Sequence, residues 1–305
     1  MTSLVGRSNG EQAPKGAKGS SVPPMSPVAR TGKKREMIWF GYKVHLTETC
    51  ALETSEGTQT RAILQLIVQV ETTVANVQDV DLTATMQAEL VKAELKPEEH
   101  IVDTGYVDAD LLVSSHQQGI KLLGPVLSDN SWQAKADKGF DQRHFSIDWT
   151  TRQATCPQGQ TSSRLSKRGE RMEIVFATEV CAACPVRRNC TRSLTTGRVL
   201  HLRPQADYEE LQARRQEQQT PEFRERYATR AGIEAMLSQA VRGMGVRRAC
   251  YDGLHKTHLQ HILTAVAINL VRIDAALTDT PRGKTRRSHF ACLTDRSEAH
   301  VLACA

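Results

Sequence analysis

Residues 37–124 alternate between strand-like and helix-like segments, and this alternation constrains the fold more than any other feature of the chain. Segments dense in aromatic and β-branched residues predict strands, and apolar residues at helical spacing after an Asp predict helices. The predicted strands lie at 37–47, 61–73, 101–102 and 120–124, and the predicted helices at 81–95 and 109–118. Strands interleaved with helices in this order predict an α/β fold built on a mixed sheet.

The composition is that of a soluble globular protein of 305 residues, with a mean hydropathy of −0.42. The longest apolar stretch, Ile262 to Ile268, is too short to cross a bilayer, and no secretory signal opens the chain. We therefore expect no membrane association. The eight cysteines, in a long chain without an export signal, favour metal binding or buried thiols over disulfides.

Charge is distributed in blocks. Residues 1–35 carry a net charge of +6, residues 36–150 carry −10 and residues 151–202 carry +6 again. An acidic block between two basic ones suits a protein that holds a polyanion with some parts and cations with another. A solvated surface without any partner would give a similar distribution.

The chain divides by amino-acid composition and predicted secondary structure into five parts. Glycine, serine, proline and lysine dominate the beginning, short strands and four cysteines occupy 128–204, and helical patterns at 207–218, 221–237 and 258–277 follow. The last helix has an apolar stripe at 259, 262, 263, 266, 270 and 273, which predicts a core face. The parts are a disordered basic leader (1–35), an α/β part (36–127), a β-rich segment with four cysteines (128–204), a helical part (205–278) and a flexible tail (279–305).

Two places carry candidate catalytic residues. Asp103 follows a buried strand, at the sheet edge where ligands collect in α/β proteins, although an Asp there can also serve only as a turn cap. Tyr227, Arg230 and Glu234 are spaced to share one helix face. The alternative for that face is an ion pair on a solvated helix.

These segments resemble the DDE-type transposases of bacterial insertion sequences. The similarity rests on GYKVHLTET at 41–49, VDTGYVD at 102–108 and the Tyr227-x2-Arg230-x3-Glu234 spacing, with further blocks at 247–251 and 256–265. It extends from about Met37 to Phe290.

The resemblance implies an RNase H-like catalytic core, with its first part at 36–127 and its helical remainder at 205–278, interrupted by the basic β-rich segment (128–204) as an insertion. It implies that Asp103 and Glu234 are two of three carboxylates that hold two Mg²⁺ (or Mn²⁺) ions for phosphoryl transfer on DNA. Tyr227 and Arg230 match the family's Tyr-Arg-Glu signature, with Arg230 expected to contact phosphate. The family's Lys seven residues after the Glu is Val241 here, and Arg242 is its candidate substitute. The implied partners are double-stranded DNA at the element ends and target and further copies of the chain in an active homo-oligomer, located with the nucleoid in a bacterial cytoplasm.

One expected residue is absent. No Asp occurs before Asp79, the preceding residues do not read as a strand, and Asp79 and Asp81 are poorly placed to replace the first acid. We therefore expect an N-terminally truncated transposase with impaired metal binding and cleavage. The alternative is a non-catalytic remnant that binds DNA ends or a full-length transposase. A third hypothesis is a zinc-stabilised DNA-binding regulator, against which the matched motifs argue.

Cysteines and arginines are the remaining candidates for metal binding and DNA contacts. Cys156, Cys181, Cys184 and Cys190 include a Cys-x2-Cys pair and could form a structural Zn²⁺ site, with a cluster of reduced thiols as the alternative. Basic residues near these sites are candidate phosphate contacts, although each one singly could be a solvated surface residue. They are Arg187, Arg188, Arg214, Arg215, Arg242, Arg247 and Arg248.

Overall fold

The computed structural model describes residues 2–9, 29–34, 36–50, 64–168 and 171–280. The strands are β1 (Thr2–Asn9), β2 (Arg30–Lys34), β3 (Met37–Cys50), β4 (Ile67–Val74), β5 (Glu99–Ile101), β6 (Lys121–Leu123), β7 (Ser146–Asp148), β8 (Gln153–Thr155), β9 (Arg164–Arg168), β10 (Arg171–Val175) and β11 (Val199–Leu202). The α-helices are α1 (Val80–Lys92), α2 (Ala109–Gln117), α3 (Trp132–Lys135), α4 (Thr178–Ala182), α5 (Arg187–Cys190), α6 (Gln205–Glu217), α7 (Pro221–Ala228), α8 (Ala231–Gly243) and α9 (Leu254–Leu277). Short 3₁₀ turns lie at Thr104–Tyr106 and Gln142–His144.

The largest sheet is mixed and has six strands. The long strand β3 pairs antiparallel with β1, β2 and β4, and β1 pairs in parallel with β5, which pairs in parallel with β6. The predicted α/β class is confirmed at this level. The strands and helices expected between residues 37 and 124 are all present, except that residues 61–63 of the second strand lie outside the described residues.

Each face of this sheet is covered by helices. On one face Leu46 and Ile101 pack with Ile233 of α8 and Ile268 of α9. On the other face Val102 and Leu122 pack with Met86 of α1 and with the two leucines of α2, Leu111 and Leu112. Burying apolar residues from both faces is what stabilises a sheet of this kind.

The first correction concerns the predicted leader. Strands β1 and β2 lie within residues 1–35, where the sequence predicted a disordered segment and no strand. Both strands pair with β3, whose fourteen residues provide a long row of backbone donors and acceptors. Tertiary pairing of this kind outweighs the weak strand propensity of a Gly- and Ser-rich sequence. The division of the chain into domains otherwise stays a prediction.

The second correction concerns the helix predicted at 221–237. The structure ends α7 at Ala228 and begins α8 at Ala231. Between them the amides of Arg230 and Ile233 donate to carbonyls three residues back, at 3.0 and 3.1 Å. The Thr229 hydroxyl donates to the carbonyl of Arg226 at 2.7 Å, and such side-chain bonds compete with regular helix geometry.

The third correction concerns α9. Four residues of the stripe predicted as a core face are 47–61% exposed, namely Leu259, Leu263, Val266 and Leu270. The face that packs on the sheet instead carries Thr257, His261, Ala265 and Ile268.

The reason for this orientation is that polar groups of the sheet need partners. The His261 ring lies 2.8 Å from the Thr72 hydroxyl, and Asn269 bonds both the amide and the carbonyl of Ile67. Arg272 donates to the buried carboxylate of Glu48 at 3.0 Å. Leaving these groups unpaired would cost more than exposing a few leucines.

Among the described residues, α9 is also the one helix long and apolar enough to cross a membrane by length and composition. One such helix is weak evidence, and the contacts with Thr72, Ile67 and Glu48 bind this one to the sheet. The absence of membrane association therefore stays an expectation.

The β-rich segment has its own small core. Strands β9, β10 and β11 form one antiparallel sheet, and β7 pairs with β8 in a second. Their buried residues are Phe145, Ala154, Ile174, Phe176, Leu200 and Leu202. Tyr208 of α6 packs against this cluster and lies 5.5 Å, centroid to centroid, from the Trp149 ring.

Candidate active site

Asp103 stands immediately after β5, where the chain leaves the sheet. Its carboxylate accepts the Thr104 amide at 2.9 Å and so caps the turn Thr104–Tyr106. The side chain is 51% exposed, so the cap leaves carboxylate oxygen accessible. The two alternatives drawn from the sequence, turn cap and exposed functional acid, are therefore compatible.

The motif residues around Asp103 hold its turn in place. The ring of His45 in β3 lies 2.5 Å from the hydroxyl of Tyr106, which is buried. The carbonyl of Tyr106 accepts the Thr83 hydroxyl of α1 at 2.7 Å. The GYKVH and DTGY segments thus meet in space, and their His and Tyr position the Asp103 turn.

A second clamp lies behind the same turn. Lys43 of β3 donates to Asp79 at 3.2 Å and to the Val77 carbonyl at 2.6 Å, and the Lys43–Asp79 pair is almost fully buried. A Cβ at Gly105 would lie 3.1 Å from the Asp79 carboxylate, so a side chain at this position would crowd the pair. Asp79 is engaged in this buried pair with Lys43.

Arg230 brings the two predicted catalytic acids together. It occupies the junction between α7 and α8, where its side chain is only 15% exposed. Its guanidinium donates to Glu234 at 2.9 Å and lies 3.6 Å from Asp103. Asp103 and Glu234 are thus held at one site by a cation between them, and both carboxylates are more than half exposed.

Tyr227 supports this site from the core side. Its ring stacks on Phe223 at 5.8 Å and packs against the core cluster of α8 and α9. Burial raises the pKa of its hydroxyl, with the positive charge of Arg230 acting in the opposite direction. It remains a neutral donor at neutral pH and cannot serve as a base there.

One ion pair near the site was missed by the sequence analysis. Arg226 of α7 donates to Glu99 at the start of β5, at 2.5 Å, and Glu99 is buried. The contact ties the helix that precedes Arg230 to the strand that precedes Asp103. The two residues are 127 positions apart, so no local pattern could have paired them.

The first acid has no counterpart on β1, the strand that pairs with β5 just before Asp103. Leu4 pairs in parallel with Ile101, and continuing this register brings Gly6 alongside Asp103. The strand reads TSLVGRSN and contains no Asp or Glu. Among the residues described, no three His, Cys, Asp or Glu side chains are grouped so that they could hold a metal ion.

The donor set therefore fits a two-metal centre only in part. Carboxylate oxygens are the right ligands for Mg²⁺, but two carboxylates around an arginine fall short of the three acids that the resemblance implies. The described residues do not supply the missing ligand.

The candidate DNA contacts fall into two groups. Arg188, Arg242, Arg247 and Arg248 are exposed. Arg214 is 4% exposed and donates to the Leu122 carbonyl, which places it out of reach of a DNA backbone and corrects its assignment. Arg187 and Arg215 are half-buried and bond backbone carbonyls, at Ser193 and Leu127 respectively.

The four cysteines of the β-rich segment lie around one small cavity. Cys156, Cys181, Cys184 and Cys190 all line it and all are free thiols. The amide of Arg198 donates to the Cys181 sulfur at 3.4 Å.

A comparison with protein families finds one match. Residues 155–274 match the family described as transposase DDE domain, which is 120 of the 305 residues. The match includes the four cysteines and the Tyr227, Arg230 and Glu234 group, but not Asp103. No curated protein and no solved structure matches the chain. Over residues 155–274 the chain is therefore similar to the transposase DDE domain, and the resemblance to DDE-type transposases is confirmed there.

Proposed function

We propose that this chain binds DNA in transposition through an RNase H-like core, at a site formed by Asp103, Arg230 and Glu234. The observation that supports the site most directly is the bridge that Arg230 makes between the two acids, since they come from a strand end and a helix 131 positions apart. The strand order β4-β3-β1-β5-β6, with helices on both faces, supports the RNase H-like assignment.

We propose that the chain by itself binds DNA without cutting it. A transposase would use Mg²⁺ or Mn²⁺ at this site to activate the attacking oxygen and stabilise the leaving one. In this chain the positive charge of Arg230 lies between the two acids and offsets one of their two negative charges, and β1 offers no third carboxylate. Arg230 would orient a phosphate beside the acids by charge-assisted hydrogen bonds. A bacterial nucleoid is the proposed location, and self-association or pairing with a full-length transposase on DNA stays part of the proposal.

The first experiment measures DNA binding. Fluorescence anisotropy with a labelled duplex of arbitrary sequence is expected to give an affinity that falls steeply with salt, because phosphate contacts release counterions. Arg188→Gln and Arg242→Gln, which are exposed, should each weaken binding and lower the salt slope. Lys92→Gln on α1 is the matched control, since Lys92 is 78% exposed and lies in the acidic part of the chain. Absence of binding at low salt would overturn the proposal.

The second experiment separates binding from cleavage. Supercoiled plasmid is incubated with the purified chain and Mg²⁺ or Mn²⁺, and nicked circles are measured on a gel. We expect no more nicking from the natural chain than from Asp103→Asn. Nicking by the natural chain that disappears in Asp103→Asn would show that two carboxylates suffice and would contradict the non-catalytic proposal.

A further inference from the structure

The β-rich segment gathers four thiols from three separate stretches of the chain. Cys156 follows β8, Cys181 and Cys184 lie at the end of α4, and Cys190 ends α5. All four line one cavity of about 30 Å³, together with Phe140, Phe176 and two arginines. A volume of this size accommodates one water-sized or ion-sized occupant.

Two of these stretches are tight turns that present sulfur to the cavity. The Cys156 carbonyl accepts the Gly159 amide at 2.8 Å, and Gly159 has a φ of +73°, which favours glycine. The Cys181 carbonyl accepts the Cys184 amide at 3.3 Å, so this Cys-x2-Cys pair closes a single turn. Pairs of cysteines on short turns are the usual framework of a tetrahedral thiolate site.

The positively charged residues around the cavity favour a metal–thiolate complex with a net negative charge. The side chains of Arg187 and Arg198 both line it, and the Nε atoms of both are buried without a hydrogen-bond partner among the described residues. Four thiolates lining one small cavity would repel one another, and a divalent cation among them would offset half of their charge. The two guanidiniums would balance the net negative charge that remains.

The segment also has little else to stabilise it. Its sheets have strands of three to five residues, and its core contains six fully buried side chains. A structural metal is a common solution where the hydrophobic core is this small.

We propose that Cys156, Cys181, Cys184 and Cys190 bind one Zn²⁺ ion that stabilises the β-rich segment. The thiols as placed are not yet grouped for coordination, since no metal-holding group of three occurs among the described residues. The proposal therefore requires the cysteine side chains to rotate within the cavity when the ion binds. Zn²⁺ binding replaces the thiol protons, which pass to solvent, and involves no redox step. The proposal does not depend on DNA binding or cleavage.

The test measures metal content of the full chain, produced with Zn²⁺ in the medium and freed of loosely bound metal by gel filtration. We expect one Zn²⁺ per chain in the natural protein and in Cys250→Ser, the control, because Cys250 is an exposed thiol outside the cavity. Cys181→Ser and Cys190→Ser should each lose the stoichiometric ion. Unchanged zinc content in both variants would overturn the proposal, because the ion would then lie elsewhere.

A second measurement covers the case in which the serine variants do not fold. The natural chain is stripped with a chelator and titrated with Co²⁺, whose thiolate charge-transfer absorption reports sulfur ligands directly. Saturation at one equivalent, with recovery of the thermal transition that the chelator removed, is the expected result. A stripped chain that keeps its thermal transition and shows no thiolate–cobalt absorption would reject the zinc site, as would a disulfide between these cysteines found by mass spectrometry.

Discussion

Arg230 Nη2 lies 3.6 Å from Asp103 Oδ2 while Nη1 of the same guanidinium donates to Glu234 at 2.9 Å. A cation thus stands where a pair of carboxylates would otherwise repel each other. The arrangement orders two acids in the absence of metal, and it also places a positive charge against any metal that approaches them.

Replacing Arg230 is therefore expected to strengthen metal binding and weaken DNA binding. A unit positive charge about 4 Å from a bound divalent ion costs on the order of 2 kcal/mol when water screens it, so Arg230→Gln should raise the affinity for Mn²⁺ about thirtyfold. Calorimetric titration with Mn²⁺ measures this change. Adding Asp103→Asn should cancel the gain, and Arg242→Gln should give none. An affinity that is unchanged in Arg230→Gln would show that the arginine does not oppose metal at this site.

The buried pair behind the Asp103 turn is expected to dominate local stability. Removing one partner of a buried pair leaves an uncompensated charge, so Lys43→Met should lower the free energy of unfolding by about 3–5 kcal/mol. The matched control is Lys92→Met, whose 3.8 Å pair with Glu89 is exposed and should contribute less than about 1 kcal/mol. Urea unfolding measures both.

The double variant Lys43→Met with Asp79→Asn removes both charges and should recover part of that loss. If Lys43→Met cost no more than Lys92→Met, the pair would not be the clamp that we describe.

Stability is expected to fall as the pH drops from 6.5 towards 4. Burial lowers the pKa of His261 to about 4 and that of His100 to about 4, so both rings are neutral in the folded chain. The unfolded chain takes up a proton at each ring below about pH 6.5, which stabilises the unfolded state. The contribution of these neutral rings to the free energy of unfolding is complete above pH 6.5. Between pH 6.5 and pH 4 it falls by roughly 1.4 kcal/mol per pH unit for each ring.

Urea unfolding at pH 7.5, 6.5 and 5.5 checks this dependence. His261→Gln should be less stable at pH 7.5, because it disturbs the contact with Thr72, but should lose less stability between pH 6.5 and 5.5. Burial raises the pKa of Glu71, which acts in the opposite direction, but Glu71 is present in both chains and cancels in the comparison. If the unfolding free energies of the natural chain and of His261→Gln changed equally with pH, the lowered pKa of His261 would be contradicted.

Substitutions at exposed positions of α9 should cost far less stability than a substitution at a buried position. Leu263→Gln and Leu270→Gln change side chains that are 59% and 61% exposed, so each should change the unfolding free energy by less than about 0.5 kcal/mol. Ile268→Ala removes a fully buried side chain and should cost about 2–5 kcal/mol. Thermal unfolding of the three variants and the natural chain measures these changes in stability. Strong destabilisation by Leu263→Gln and Leu270→Gln would instead show that the apolar stripe is buried in the core, as the sequence pattern had predicted.

The elements that the sequence predicted correctly are those whose signals are local. The strand at Met37–Cys50 and the helix at Val80–Lys92 follow from side-chain periodicity, although Asp81, expected to cap that helix, lies within its first turn. The errors arose where contacts between residues far apart in the sequence determine the local structure. Strand β1 forms by pairing with β3, and α9 turns its polar residues inward because Ile67 and Glu48 need partners 202 and 224 positions away.

The candidate site divides in the same way. The resemblance to DDE-type transposases implied that Asp103, Arg230 and Glu234 act together, and the structure brings them into contact. It could not predict what supports them, because Lys43–Asp79 and Glu99–Arg226 join segments 36 and 127 positions apart. Nor did the composition of residues 1–35 indicate a strand beside Asp103.

That strand leads to the sharpest prediction for function. The last observed pair of β1 with β5 is Leu4 with Ile101, and the same register continued by two residues would bring Gly6, which has no side chain, beside Asp103. Gly6→Asp would add a third carboxylate near Asp103 and Glu234. We expect this variant to nick supercoiled plasmid in the presence of Mn²⁺ while the natural chain does not, because three acids can hold the ions that two and an arginine cannot.

The control for Gly6→Asp is Ser8→Asp, which moves the new carboxylate two residues, about 7 Å, along the strand and should give no nicking. Nicking by Gly6→Asp must also disappear when Asp103→Asn or Glu234→Gln is added, since the activity requires all three acids. If Gly6→Asp folds, as judged by circular dichroism, and neither binds Mn²⁺ more tightly nor nicks DNA, then β1 does not occupy the place of the missing acid. DNA binding would then remain as the function to be assigned to this chain.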